Sequence, residues 1–409
     1  MRILAVAEIF PWPAESGGQI RLATQIDALS RIGEVDLFSF YDVRGPELVI
    51  PVGVRLARLG TTPYPAVGPS RRWQVVWLLR RGVPLSVAMR MQDPGPRRAF
   101  RVFASGAYDA VWFRTAATWV WLGRPRLGPT IVDLDVLDDE VERQQAELIH
   151  ARPARGLVGH IQKGIDEARA RVNAADWRRL QSAIAEATDT VVVCSTDDAD
   201  RLGVPNVAVL PNTYADPERP AGKQTPSDPP TVLFQASFDY PPNADAAHWL
   251  ASVVGPRIRD RVPGTMIRLV GRSIPEVEAL ADGSMVTVTG RVPAMKTELA
   301  RADVVVVPLR SGSGTRVKIL ESFAHRIPVV STSLGAEGLD VADGVHLLLA
   351  DTPSTMAEAC DRLHDDPELR HRLVDAAQQR FRDRYETRVA RERVREIVDA
   401  TTRAFDRAR

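Results

Sequence analysis

Two cysteines stand in 409 residues, Cys194 and Cys360, far apart in the chain. That is too few for a disulfide framework, and their spacing suits neither a metal nor a redox pair. No stretch approaches the ~18 continuous apolar residues that a membrane span needs. Residues 2–7 are apolar after Arg2, but Glu8 ends the run too early for a signal-peptide core. The expectation is a protein of the reducing cytoplasm. Excess charge is also missing. The formal net charge is +1, so composition gives no support for nucleic acid as a partner. Lysine occurs only at positions 163, 223, 296 and 318, while arginine is abundant. A lysine inside a motif is therefore a rare event in this chain.

One such lysine lies in the run Arg310-Ser-Gly-Ser-Gly-Thr-Arg-Val-Lys-Ile-Leu-Glu321. An apolar stretch, 302–309, precedes it, and a helical pattern follows that ends before Pro328. A strand, a glycine loop and a helix start, in that order, make an anion site, because the first N–H groups of a helix have no internal partners and the macrodipole adds positive potential. Gly312, Ser313, Gly314 and Thr315 form the loop, and Arg316 and Lys318 add full charges. Glu321 falls on the same helix face as Lys318, ~4.5 Å further along the axis. The cation suits a diphosphate and the carboxylate suits ribose hydroxyls, so a nucleotide is the expected ligand.

The rest of the chain alternates strands and helices. Apolar runs at 2–7, 35–40, 110–113, 130–134, 190–194 and 207–210 read as buried parallel strands, with a helix over 20–32 whose inner-face candidates are Ile20, Ala23, Ile26 or Asp27, and Leu29. Gly17 and Gly18 fall in the loop before that helix. Residues 215–230, rich in proline, glycine and polar side chains, read as a linker. The alternation then restarts, with strands at 231–234, 266–270, 285–288, 304–307 and 328–331, and a long charged helical stretch closes the chain from 367. The expected architecture is α/β: a Rossmann-like domain over 1–214, the linker 215–230, a second Rossmann-like domain over 231–385 and a helix over 386–409. Two doubly wound domains facing across a cleft would place their ligand at the strand ends.

In the second half, Phe234-Gln-Ala-Ser-Phe-Asp-Tyr-Pro-Pro-Asn-Ala-Asp245, Val288-Thr-Gly-Arg-Val292, the glycine-loop motif and Pro328-Val-Val-Ser-Thr-Ser-Leu-Gly-Ala-Glu-Gly338 follow in order. In the first half, Gly17-Gly18, Val193-Cys-Ser-Thr-Asp-Asp198 and Leu210-Pro-Asn212 agree with them. This pattern resembles glycosyltransferase family 4 of the GT-B enzymes over nearly the whole chain. The resemblance implies retaining transfer of a sugar from a nucleotide-diphosphate donor, with no required metal or other cofactor, and a final helix that returns to the N-terminal domain. It implies ribose binding by Glu321, base contacts by the backbone of Gly290, Arg291 and Val292, and approach of Gly17 and Gly18 to the diphosphate and donor sugar. The chain also departs from the family. Ser313 stands where members carry a first glutamate, eight positions before Glu321. No cation occurs between Gln235 and Tyr240, so Arg316 and Lys318 are the substitutes expected to stabilise the leaving group. The family histidine near the donor sugar is absent from residues 113–116. The acceptor is expected to be a saccharide, a lipid-linked sugar or a small molecule. A nucleotide-sugar epimerase and a non-catalytic nucleotide-sugar or glycan-binding subunit are the alternatives.

Several further features have a plain reading beside a functional one. Asp133-Leu-Asp135 looks like a metal-binding Asp-x-Asp, but a strand-end capping or acceptor-side role fits better. Residues 71–81 are amphipathic with basic ends. They read as a packed helix with snorkelling arginines, or else as a peripheral contact with the inner face of an anionic membrane. His160, His248 and His325 are expected to be structural or exposed.

Overall fold

The computed structural model describes residues 1–41, 49–65, 82–151, 154, 156–223, 225–312 and 316–408. Segment 71–81, the loop residues Ser313, Gly314 and Thr315, and Gln224 lie outside them. The chain divides into two compact units. One comprises Met1–Pro211 with Ala390–Arg409, and the other Asn212–Val389.

The first unit is built on a seven-stranded sheet of β1 (Arg2–Ala7), β2 (Glu34–Phe40), β3 (Leu56–Thr62), β4 (Ala110–Arg114), β5 (Thr130–Asp133), β6 (Thr190–Val193) and β7 (Val207–Val209), in the order β3-β2-β1-β4-β5-β6-β7. The second unit has six strands: β8 (Thr231–Gln235), β9 (Met266–Val270), β10 (Val286–Val288), β11 (Val304–Val307), β12 (Val329–Ser331) and β13 (Leu348–Leu349), in the order β10-β9-β8-β11-β12-β13. Neighbouring strands pair in parallel. The sequence dictates this: β4, β5 and β11 are buried along their whole length, as strands covered on both faces by helices must be. In each sheet the order reverses beside the first strand, between β1 and β4 and between β8 and β11. The crevice outside the strand ends at such a reversal is where doubly wound sheets hold ligands.

The first helix, Gly17–Ser30, starts earlier than the apolar pattern implies. Ser16 and Gln19 form a capping box, so Gly17 and Gly18 lie in the first helical turn and not in a preceding loop. Its buried face is also different, since Arg21, Leu22, Gln25, Ile26, Ala28 and Leu29 point inward. Strands β3 and β13 are additions to the expected set, and the final helical stretch is broken into Pro367–Arg384 and Thr387–Ala408. Residues 215–230 belong to the second unit and are tied to its surface. Lys223 donates to the Arg301 carbonyl at 2.7 Å, and the Ser227 N–H donates to Asp303 at 2.8 Å.

Candidate functional site

In the second unit, β8 and β11 end side by side at the reversal of strand order. The chain leaves β11 through Pro308 and Leu309, passes Gly312 and enters the helix Val317–Ala324. Gly312 has φ +111, a left-handed conformation that suits glycine. The Arg316 guanidinium reaches back to donate to the Gly312 carbonyl at 2.6 Å. Arg316 is buried and sits at the N-cap position, so it staples the two ends of the loop together as well as charging it.

Lys318 lies in the first turn of this helix. Its ammonium donates to Asn243 Oδ1 at 2.9 Å and stands 4.7 Å from the centroid of the Phe234 ring. Burial, then the charge of Arg316, bring its pKa down to about 7. One turn on, Glu321 Oε1 accepts from the Tyr214 hydroxyl at 2.8 Å, and Gln235 Nε2 approaches Oε2 at 3.5 Å. Burial pushes the Glu321 carboxyl above its ordinary range, against the pull of those two donors. The buried Gln235 Oε1 has no partner in this set. The helix start thus presents a cation and a carboxylate on one face, each held by a neutral partner.

The loops on the β9 side are held close. The Gly271 N–H donates to the Gly290 carbonyl at 2.9 Å, and a Cβ on Gly271, whose φ is +136, would run into the Ala236 carbonyl oxygen. Gly290, at φ +52, faces open space where a side chain would project. Arg291 is exposed, and Val292 packs against the core of this unit. On the other flank, Arg310 grips Asp245 through two hydrogen bonds of 3.0 and 2.7 Å and stacks over Trp249.

The first unit gathers a second polar cluster at the ends of β1, β4 and β5. Asp133 is fully buried between Arg21, at 2.7 Å, and Gln25, at 2.5 Å. Arg114 pairs with Glu8 at 2.7 Å and with Asp135. Burial opposes the charge on both arginines, but their carboxylate partners more than offset it. Asp133 and Asp135 are therefore neutralised by guanidinium groups, the strand-end reading of Asp-x-Asp. A Cβ on Gly18 would lie 2.9 Å from Arg114 Nη2, so a side chain there would press on the Arg114 guanidinium. Arg114 and Thr115, the latter at φ +69 with its hydroxyl on Glu8 at 2.9 Å, occupy the position where a histidine is missing.

Lys318, Glu321, Arg316, Gly312 and the Gly290–Val292 stretch are thus placed in the second unit, and Gly17 and Gly18 in the first. Asn243, Gln235 and Tyr214 are additions that sequence reasoning missed. Tyr214 is 107 positions from the carboxylate it binds, and no local signal links them. Asn243 carried a faint one, since Pro241 and Pro242 mark a helix start and set it on the first turn. His160 and His248 are exposed, while His325 is buried and accepts from the Ala221 N–H at 3.2 Å.

Residues 229–366, which hold all of this second site except Tyr214, match the family model described as "Glycosyl transferases group 1". No curated protein matches the chain. Among solved structures, the sucrose-phosphate synthase of Thermosynechococcus elongatus is similar at a TM-score of 0.66 and 17% identity, covering 99% of this chain and 100% of that one. WaaG, a glycosyltransferase involved in lipopolysaccharide biosynthesis, gives 0.63 and 14%, covering 97% of this chain and 99% of that one. Anabaena HepE, in complex with UDP and glucose, gives 0.59 and 13%, covering 98% of this chain and 100% of that one. The fold is GT-B, two Rossmann-like units with parallel sheets. Residues 229–366 of the second unit match the group 1 glycosyl transferase model, and that match on a GT-B fold supports an enzyme that transfers glycosyl groups.

Proposed function

We propose that the protein is a retaining glycosyltransferase of the family 4 type, moving a sugar from a nucleotide-diphosphate donor to a saccharide, lipid-linked or small-molecule acceptor. The observation that carries this reading is the pair Lys318 and Glu321 at the start of the helix after β11, with Lys318 held by an amide and not by a carboxylate. Such a cation is available to a phosphate. HepE, which shares the fold, binds UDP with glucose, and UDP is the first nucleotide to test.

In the proposed reaction the bond between the anomeric carbon and the diphosphate oxygen breaks, and the diphosphate leaves with the electron pair. The acceptor oxygen bonds to the anomeric carbon on the same face and gives its proton to the departing phosphate oxygen. Negative charge grows on the leaving group, so fixed positive groups aimed at it lower the barrier. Lys318 supplies that charge, and Arg316, bonded to the Gly312 carbonyl, adds to it. Glu321, fixed by Tyr214 and Gln235, binds the ribose hydroxyls. Gly290 and its neighbours offer backbone to the base. No step requires a metal ion.

The test is Lys318→Ala. With one fixed donor lost, turnover should fall about 100-fold, while the melting temperature stays level or rises. Unchanged turnover would sink the assignment. Interconversion of two nucleotide sugars without release of nucleoside diphosphate would replace a transferase with an epimerase.

A further inference from the structure

Resting on the donor reading above, we propose that Asn243 is a positioning residue: it aims the Lys318 ammonium at the donor diphosphate while leaving its charge without a counter-ion. Asn243 Nδ2 donates to the Ser237 carbonyl at 2.8 Å, and its backbone N–H donates to the Tyr240 carbonyl at 2.9 Å. With the NH2 end committed to Ser237, the carbonyl end must face Lys318, where it accepts at 2.9 Å. Flipping the amide would break both bonds and point N–H groups at an ammonium. Two prolines ahead of Asn243 fix the backbone from which it projects.

Among the described residues, the surroundings of Lys318 hold no carboxylate ready to pair with it. Glu321, on its own helix, is engaged by Tyr214 and Gln235. Asp245, on the helix of Asn243, is taken by Arg310. Arg316 adds like charge, and Phe234 from β8 offers only its ring face. An aspartate at 243 would sit at salt-bridge distance and satisfy the lysine in the empty protein. The amide fixes direction without neutralising charge, so the arriving diphosphate supplies the missing anion. One consequence is measurable. Lysine so placed is largely neutral above pH 7 in the empty protein, and a diphosphate stabilises its charged form. Nucleotide binding must then take up a proton.

The experiment is calorimetric titration of the full chain with UDP, GDP, ADP and dTDP at pH 8, in HEPES and in Tris buffer. The different ionisation enthalpies of the two buffers reveal the protons taken up. For the tightest binder the wild type should take up most of a proton. Asn243→Asp should bind at least tenfold more weakly and take up almost none, because its lysine is already charged. Asn243→Ala, the variant with the smaller risk to folding, should bind several-fold more weakly and still take up a proton. If Lys318→Ala abolishes proton uptake but both Asn243 variants bind and take up protons as the wild type does, this inference is overturned and the donor site stands. If Lys318→Ala matches the wild type in affinity and uptake, or none of the four nucleotides binds, the donor reading falls and this inference falls with it.

Discussion

Lys318 is held in a state that costs the folded protein stability. Its pKa is near 7 when folded and near 10.5 when unfolded, so between those values the unfolded chain binds more protons. Stability from this group therefore rises as pH climbs from 7 to about 10, and is least below pH 7. Lys318→Met should lack that rise and be more stable than the wild type at pH 7 by about 1–3 kcal/mol, as chemical denaturation at several pH values will show. Glu321 runs the opposite way. Its raised pKa means that the folded state holds its proton longer, so its contribution falls as pH rises above the ordinary carboxylate range. Glu321→Gln should accordingly be more stable at neutral pH and bind nucleotide less well. A cation and a carboxylate kept one turn apart, each held by a neutral group, are what a ligand site requires and what a stability-driven core would avoid. Both residues were legible in the sequence, because strand, glycine loop and helix start place them. Their partners were not, since Tyr214 and Asn243 reach the site by folding alone.

At the scale of elements, the loops at the strand ends are held by contacts that tolerate no side chain. Gly271, at φ +136 against the Ala236 carbonyl, fixes the loop after β9 to the loop after β8. Gly271→Ala should cost at least about 2 kcal/mol in a denaturant titration, because both the backbone conformation and the contact are lost. In the first unit the tie is ionic. Asp133 joins β5 to the first helix through Arg21 and Gln25. Asp133→Ala leaves a buried guanidinium short of its main partner, and a loss of about 3–5 kcal/mol is expected by the same titration. The apolar pattern alone could not find this. It placed Ile20 on the inner face of that helix, where it is only half-buried, and missed Arg21 and Gln25, which turn inward to meet Asp133. The start of the helix was readable, however, from Ser16 and Gln19 as a capping box. Strand β3 escaped notice because its sequence, Leu-Ala-Arg-Leu-Gly-Thr-Thr, has mostly part-buried or exposed residues, as an edge strand does.

Across the whole molecule, two parallel sheets with reversed strand order decide where chemistry can happen. Their existence was legible from uninterrupted apolar strands alternating with helices. The crossing point between units was less so. Composition marks 215–230 as the break, whereas the chain passes from one unit to the other at Pro211 and Asn212, and 215–230 is bound to the second unit by Lys223, Ser227 and Gly222. Proline-rich composition signals an irregular chain, not a free one. We propose that the second unit's site, built on Lys318 and Glu321, receives a nucleotide-diphosphate sugar. A thermal-shift panel of the full chain with uridine, guanosine, thymidine and adenosine diphosphate sugars tests it most directly, since a ligand that binds only the folded state at 100 times its Kd adds about 2.7 kcal/mol of stability. The account predicts that one base class raises the melting temperature by several degrees in the wild type and not in a Lys318→Ala, Glu321→Ala double variant. A panel that leaves the wild type unmoved, or a shift that survives the double substitution, would contradict it.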